Sequence, residues 1–322
     1  MHVFHGYDHV PQALRGAALA IGNFDGVHRG HQALLARARE RAAASTRHGA
    51  SHLAGAIVFE PHPREFFHPD RPHFRLTTLV QKLGLFERYG LDMAVVLPFD
   101  SKLAALTADE FIETVLVAGL GVRHVVVGYD FFFGKGRCGN AEHMRRAAAE
   151  MGFGVSVVAP VAEGGEVFSS SAVRAEIAQG DVKGAAEMLG HWWPIRGTVV
   201  GGAKRGTGMG YPTANIVLPR TMTLAHGIYA VFIGVHGITH KGAAYLGTRP
   251  TFDSGPPVLE IFLFDFDGDL YGREIEVSFV DFIRGDGRFE GMDALKKQMD
   301  EDCAKARAIL DAAKPVGPAI TG

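Results

Sequence analysis

The sequence predicts a two-domain chain: a parallel α/β domain over residues 1–190, then a compact β-barrel closed by a helix over residues 191–322. Three observations carry this. At 322 residues the chain exceeds what one hydrophobic core usually supports, and its 47% hydrophobic content can fill two. The first part alternates apolar runs with helical periodicity, the pattern of a parallel sheet covered by helices. After His191-Trp192-Trp193-Pro194 the texture changes to short strands broken by glycine.

In the first domain, strands are predicted at Ala17–Ile21, Ala54–Phe59, Met93–Leu97, His124–Val127 and Gly154–Val158. Helical spacing lies between them, as at Leu76–Tyr89 and Ala108–Ala118. Ligands of such sheets bind beyond the carboxyl ends of the strands. Several candidate segments fall there: residues 23–31, 60–63 and 128–134.

The most informative run is Gly22-Asn23-Phe24-Asp25-Gly26-Val27-His28-Arg29-Gly30-His31-Gln32. It joins a buried strand to a helix that carries Leu34, Leu35 and Ala38 at helical spacing. Such a turn aims free backbone N–H groups and the positive end of a helix dipole at a ligand, which favours phosphate. His28 and His31 lie three apart and share a face. Gly30 leaves room for close approach to the backbone.

Three later segments accompany the histidines. Phe59-Glu60-Pro61-His62-Pro63 reads as a rigid post-strand loop or an ordinary proline turn. Gly128-Tyr129-Asp130-Phe131-Phe132-Phe133-Gly134 places an acid beside aromatics that suit either the core or a planar ligand. Ser169-Ser170-Ser171 opens a helix, and Arg174, one turn in, is placed to bind phosphate as a fork-shaped donor.

Barrel strands are predicted at Ile195–Val200, Ala214–Leu218, Ile228–Val235, Ala243–Leu246, Val258–Phe264 and Glu274–Phe282. A helix over Met292–Ala312 carries Met292, Leu295, Met299, Cys303, Ala306 and Leu310 as an apolar docking stripe. The basic, glycine-rich loop of residues 201–210 precedes Tyr211-Pro212-Thr213-Ala214-Asn215 and is not a Walker A sequence. Thr213 and Asn215 point the same way on a strand and offer two neutral oxygens, which suit Mg²⁺ together with phosphate oxygens. Glu260 sits in a strand apolar on both faces, costly to bury unless paired or used. An ion pair with an arginine and a general base both fit it.

These motifs, in order, resemble the bacterial bifunctional riboflavin kinase/FMN adenylyltransferase (FAD synthetase) family. The first domain is similar to its Rossmann-like nucleotidyltransferase module, through residues 22–32, 59–63, 128–139 and 169–174. The second is similar to the riboflavin kinase barrel, through residues 201–216, 227–231, 247–252 and 259–272. The resemblance implies that His28 and His31 stabilise the transferring nucleotidyl group. It implies nucleotide contacts at Gly22, Asn23, Phe24, Asp25, Gly30, Ser170, Ser171, Arg174, Gly202, Lys204, Arg205 and Gly210. It further implies flavin contacts at Asp130, Phe131 and Pro212, Mg²⁺ on Thr213 and Asn215, and Glu260 as the base for the ribityl hydroxyl. Substrates would be ATP with riboflavin and FMN, and the final product FAD. Phe132, Gly201 and Thr207 depart from the family pattern at positions where a basic residue, histidine and arginine are common, and Ser171 replaces a threonine but keeps the hydroxyl. Those departures make a flavin-binding sensor with silent sites the alternative.

A formal charge of −2 argues against nucleic acid as the main partner. No run approaches the roughly 18 apolar residues of a membrane span, and no charged-then-apolar leader opens the chain, so a soluble, cytoplasmic protein is expected. Cys138 and Cys303 lack metal-ligand spacing.

Overall fold

The structure is a computed structural model and describes residues 1–45, 53–71, 73–201, 211–247 and 256–314. The described chain divides into two compact units, Met1–Ser169 and Ser170–Gly322. The strands are β1 (His2–His5), β2 (Ala18–Ile21), β3 (Ala54–Glu60), β4 (Met93–Pro98), β5 (His124–Gly128), β6 (Phe132–Phe133), β7 (Gly139–Asn140), β8 (Gly154–Val158), β9 (Ala162–Glu163) and β10 (Glu166–Val167) in the first unit. Its helices are α1 (Arg29–Ser45), α2 (Pro63–Phe67), α3 (Leu79–Arg88), α4 (Ser101–Ala105), α5 (Ala108–Glu110) and α6 (Ala141–Met151). A π-helical stretch, Phe111–Gly119, continues α5, so the helix expected over Ala108–Ala118 changes pitch midway.

Six parallel strands form the sheet in the order β1-β4-β3-β2-β5-β8. The chain leaves β2 towards β3 on one side and later returns to pair β5 on the other. The carboxyl end of β2 is therefore the topological switch point, where an open α/β sheet presents its ligand crevice. Because both faces are covered, the strands read as near-continuous apolar runs. On one face Ala20, Ala56 and Val126 pack with Leu35 and Ala38 of α1 and Phe86 of α3. On the other, Leu19, Ile57 and Val125 pack with Ile112, Val115 and Met144.

The second unit contains α7 (Ser170–Gln179), α8 (Val182–Leu189), β11 (Trp193–Val200), β12 (Ala214–Val217), β13 (Gly227–Val235), β14 (Ile238–Leu246), β15 (Val258–Leu263), β16 (Glu274–Arg284) and α9 (Met292–Ala312). The barrel closes in the order β11-β12-β15-β14-β13-β16. Closure removes unpaired strand edges and lets alternate residues fill the interior, among them Trp193, Tyr229, Ile261 and Phe279. Trp193 stands opposite Phe279 in the register and stacks on it at 5.2 Å. Val182, Ala185 and Leu189 of α8 are fully buried, and α8 packs on β11 and β16. The sequence reading placed these two helices with the first 190 residues; their packing groups them with the barrel.

Helix α9 has the predicted bounds but only part of the predicted stripe. Ala306 and Leu310 are buried against Ala230, Ala243 and Val280, whereas Met292 is 61% exposed. Asp302, also buried, takes both forks of Arg284 at 2.7–3.0 Å.

Candidate active sites

In the first unit, the switch-point turn is held from below by Asp25. Its carboxylate is buried and accepts from the backbone N–H groups of Leu76 and Thr77 at 3.0 and 3.1 Å, while Thr77 Oγ1 accepts from the Gly26 N–H at 3.0 Å. Asp25 thus clamps the loop to the segment before α3. Helix α3 starts at Leu79, later than the Leu76 expected, because Thr78 and Gln81 form a reciprocal capping box. Phe24 adopts φ +50° and is wholly buried, edge-on to Phe86 at 5.3 Å and 5.2 Å from the His31 ring. Its position is a packing one beneath the histidines. The Gly22 N–H is taken by the Ile57 carbonyl at 3.2 Å.

His28 and His31 stack with ring centroids 3.6 Å apart. Burial lowers the His28 pKa to about 4, and burial together with the neighbouring His28 and Lys82 lowers that of His31 well below 6.5. Both imidazoles are therefore neutral near pH 7. Two charged rings at that separation would repel, so stacking and neutrality belong together. A Cβ on Gly30 would lie 3.0 Å from His28 Cε1 and 3.3 Å from the Phe168 carbonyl. Glycine is needed there so that the His28 ring can lie over the first turn of α1, as well as for ligand approach. Among the described residues, Asn23 Oδ1, His28 Nδ1 and His31 Nδ1 are buried polar atoms without a hydrogen-bond partner.

The loop after β3 has a cis Glu60–Pro61 bond, and His62 Nδ1 caps α2 by accepting from Arg64 N–H at 3.1 Å. His62 lies 4.7 Å from His73 between ring centroids, and burial first, then His73, lowers its pKa to about 4. Arg75 forks between Glu60, at 2.7 and 3.0 Å, and Glu65. After β5, Asp130 is exposed and Phe131 is half-buried, stacked on Phe133 at 5.4 Å. Phe132 is exposed beneath the Arg137 guanidinium at 5.0 Å.

Sequence reasoning missed Lys82. It lies one turn into α3, 4% exposed, and donates to the Asn23 carbonyl at 2.6 Å. The signal was present as Thr78-Leu79-Val80-Gln81, a capping-box spacing that sets the helix start and hence the face on which Lys82 falls.

In the second unit, Ser170 and Ser171 begin α7, and Arg174 donates to the Ser170 carbonyl at 3.0 Å. Asn215 of β12 stands directly opposite Glu260 of β15, and Glu260 opposite Tyr245 of β14. The three occupy one row on the outer surface of the barrel. Asn215 is buried, and its amide nitrogen donates to the Thr213 carbonyl at 3.3 Å, which turns Oδ1 the other way. That neutral oxygen and the half-buried Thr213 hydroxyl are hard donors of the kind Mg²⁺ accepts beside phosphate oxygens. Pro212 is exposed.

Glu260 is exposed, which corrects the expectation of a carboxylate enclosed between apolar faces. Leu259, Ile261 and Leu263 point inward and are buried. The outward Phe262 is apolar for a different reason: Tyr211 lies against it at 5.0 Å, and it joins the cluster under α9. Gly202, Lys204, Arg205 and Gly210 lie outside the described residues, as does Thr207.

The chain thus carries a parallel sheet with paired neutral histidines at its switch point, and a closed barrel bearing an Asn–Glu row. The FAD synthetase family model matches residues 10–172 and the riboflavin kinase model residues 189–310. The chain belongs to the bifunctional riboflavin kinase/FMN adenylyltransferase family. The relative of that name in Pseudomonas fluorescens is 39% identical, covering 96% of this chain and 98% of its own. The one in Escherichia coli (strain K12) is 40% identical, covering 97% of each. A crystal structure described as a macrolide-efflux protein from Streptococcus pneumoniae superposes with a TM-score of 0.84 at 28% identity, over 98% of this chain and 100% of that one. Among the described residues, no helix is long and apolar enough to cross a membrane.

Proposed function

We propose that the chain makes FAD in two steps. The second unit transfers the γ-phosphoryl group of ATP to riboflavin, giving FMN and ADP. The first then joins FMN to the adenylyl group of a second ATP: an FMN phosphate oxygen attacks the α-phosphorus, the bond to the β-phosphate oxygen breaks, and pyrophosphate leaves. The observation that carries this reading is a separate family match on each part of one chain. Relatives named for both activities disfavour the silent-sensor alternative.

Both reactions are in-line displacements in which protein groups mainly position reactants and stabilise charge. In the first unit, His28 and His31 would donate N–H bonds to phosphate oxygens. Neutral rings do this without mutual repulsion, and the N-terminus of α1 adds its partial positive charge. Asp130 and Phe131 would border the flavin. Asn23 and Gly30 would line the nucleotide, while Phe24 and Asp25 support the turn from behind.

In the second unit, Glu260 would accept the proton of the ribityl hydroxyl. Thr213 and Asn215 would hold Mg²⁺, which when bound offsets charge on the ATP phosphates. By the family resemblance Gly202, Lys204, Arg205 and Gly210 would contact the nucleotide, and Pro212 would border the flavin. We place the activity in the cytoplasm, with the small molecules riboflavin, FMN and ATP as substrates and neither nucleic acid nor a membrane as partner. The test is to incubate the full chain with riboflavin, ATP and Mg²⁺ and separate the flavins. FMN followed by FAD is expected; unchanged riboflavin from folded protein would overturn the reading.

A further inference from the structure

Lys82 is a buried ammonium with no carboxylate in ion-pair contact among the described residues. It makes one hydrogen bond, to the uncharged Asn23 carbonyl at 2.6 Å. The charged groups that face it are Asp25, Glu60, Glu65 and Arg75. Each is committed elsewhere: Asp25 accepts the Leu76 and Thr77 N–H groups, and Glu60 and Glu65 share the Arg75 fork. The titratable rings it faces, His31 and His62, are neutral near pH 7. Burying an ammonium is costly unless a partner compensates it, and one bond to a carbonyl compensates it poorly.

A second observation lies on the loop that Lys82 ties down. Asn23, His28 and His31 each keep a buried polar atom without a partner among the described residues. Buried polar groups are ordinarily hydrogen-bonded, so a gathering of exceptions beside a buried ammonium calls for a ligand. A polyphosphate has the complementary chemistry, with negative charge for the ammonium and acceptor oxygens for imidazole N–H groups.

We propose that Lys82 is the fixed cation and a positioning residue of the adenylyl-transfer site: it anchors the histidine loop through Asn23, and its charge is matched when the nucleotide's phosphates bind. This rests on the assignment of adenylyl transfer to the first unit. Charge and anchoring are separable. Lys82→Arg keeps the charge, Lys82→Gln keeps a donor for the Asn23 carbonyl without charge, and Lys82→Met removes both.

The experiment uses the full chain, with inorganic pyrophosphate as the probe and the His31 ring resonance as the reporter. Relative to the unaltered protein, Lys82→Met and Lys82→Gln should need at least ~10-fold more pyrophosphate for the half-maximal shift, and Lys82→Arg should recover most of the affinity. In FMN-to-FAD assays the neutral variants should raise the KM for ATP more than they lower kcat. Should Lys82→Met fail to fold by circular dichroism, the Gln and Arg pair carries the comparison. Pyrophosphate binding by Lys82→Gln equal to that of the unaltered protein, or an equal loss in the Gln and Arg variants, would overturn the proposal. An unaltered protein that makes no FAD from FMN would overturn the assignment of the reaction instead, leaving the pyrophosphate comparison to decide the role of Lys82.

Discussion

Acidification should destabilise the first unit in a range where ordinary carboxylates remain ionised, and His28 carries a part that can be calculated. Burial lowers its pKa from 6.5 to about 4. Between those values the unfolded imidazole binds a proton that the folded one refuses. The stabilisation is therefore complete above about pH 6.5 and is lost as pH falls towards 4. At 1.36 kcal/mol per pH unit, acidification from pH 7.5 to 5 removes about 2 kcal/mol through this one ring. His31 and His62, whose pKa values burial also lowers, act in the same direction. His28→Gln replaces the ring with a group that stays neutral throughout. Urea unfolding followed by circular dichroism at pH 7.5 and 5 gives the comparison. The unaltered chain should lose about 2 kcal/mol more than the variant, and equal losses would refute a buried neutral His28.

Three further outcomes follow from the division of labour. His31→Ala should lower FAD formation from added FMN by ~10²-fold or more with riboflavin phosphorylation intact, as flavin separation would record; a parallel fall in both steps would refute its local role. Glu260→Gln should cut riboflavin phosphorylation by at least ~10²-fold while added FMN still becomes FAD. Near-normal kinase activity in that variant would remove Glu260 as the base. A fragment beginning at Ser169 should fold and make FMN but no FAD, whereas one beginning at Gly190 should be markedly less stable, because it lacks the α8 side chains buried against the barrel. Equal melting temperatures for the two fragments would show that α8 contributes nothing to the barrel.

The parts of the fold that were legible in the sequence are those where burial and chain periodicity coincide. Strands β2 to β5 are apolar runs because helices cover both faces of the sheet, and they, with the valine-rich edge strand β8, appear within a residue of the expected bounds. Strand β1 was not legible. It is an edge strand, its sequence His2-Val3-Phe4-His5 has no buried residue, and only its pairing with β4 defines it. Glu260 misled for a related reason. The alternation of apolar residues along β15 was visible, but the outward Phe262 owes its character to Tyr211 and the cluster under α9, contacts that span tens of residues. The histidine motif was legible as a strand-to-helix turn that brings both rings to one face, whereas the supports of that turn were not. Asp25 reaches donors 51 and 52 positions away and Lys82 an acceptor 59 positions away, and no local spacing encodes such partners.

Those distant supports explain how the turn can hold two stacked histidines beside a buried ammonium. If the imidazoles supplied the positive charge themselves, each would raise the cost of charging the other across 3.6 Å, and the site would exist only at acidic pH. On the proposed reading the neutral rings would act as shaped hydrogen-bond donors, while charge would come from Lys82, whose pKa burial lowers from its ordinary value, and partial charge from the N-terminus of α1. Such a division leaves both rings uncharged across the neutral range. It also concentrates the pH sensitivity of the unit in its stability, since the rings resist protonation only while they remain buried. Asp25 serves both ends of this arrangement: spending its carboxylate on backbone N–H groups fixes the turn, and it leaves the Lys82 ammonium bonded to the uncharged Asn23 carbonyl.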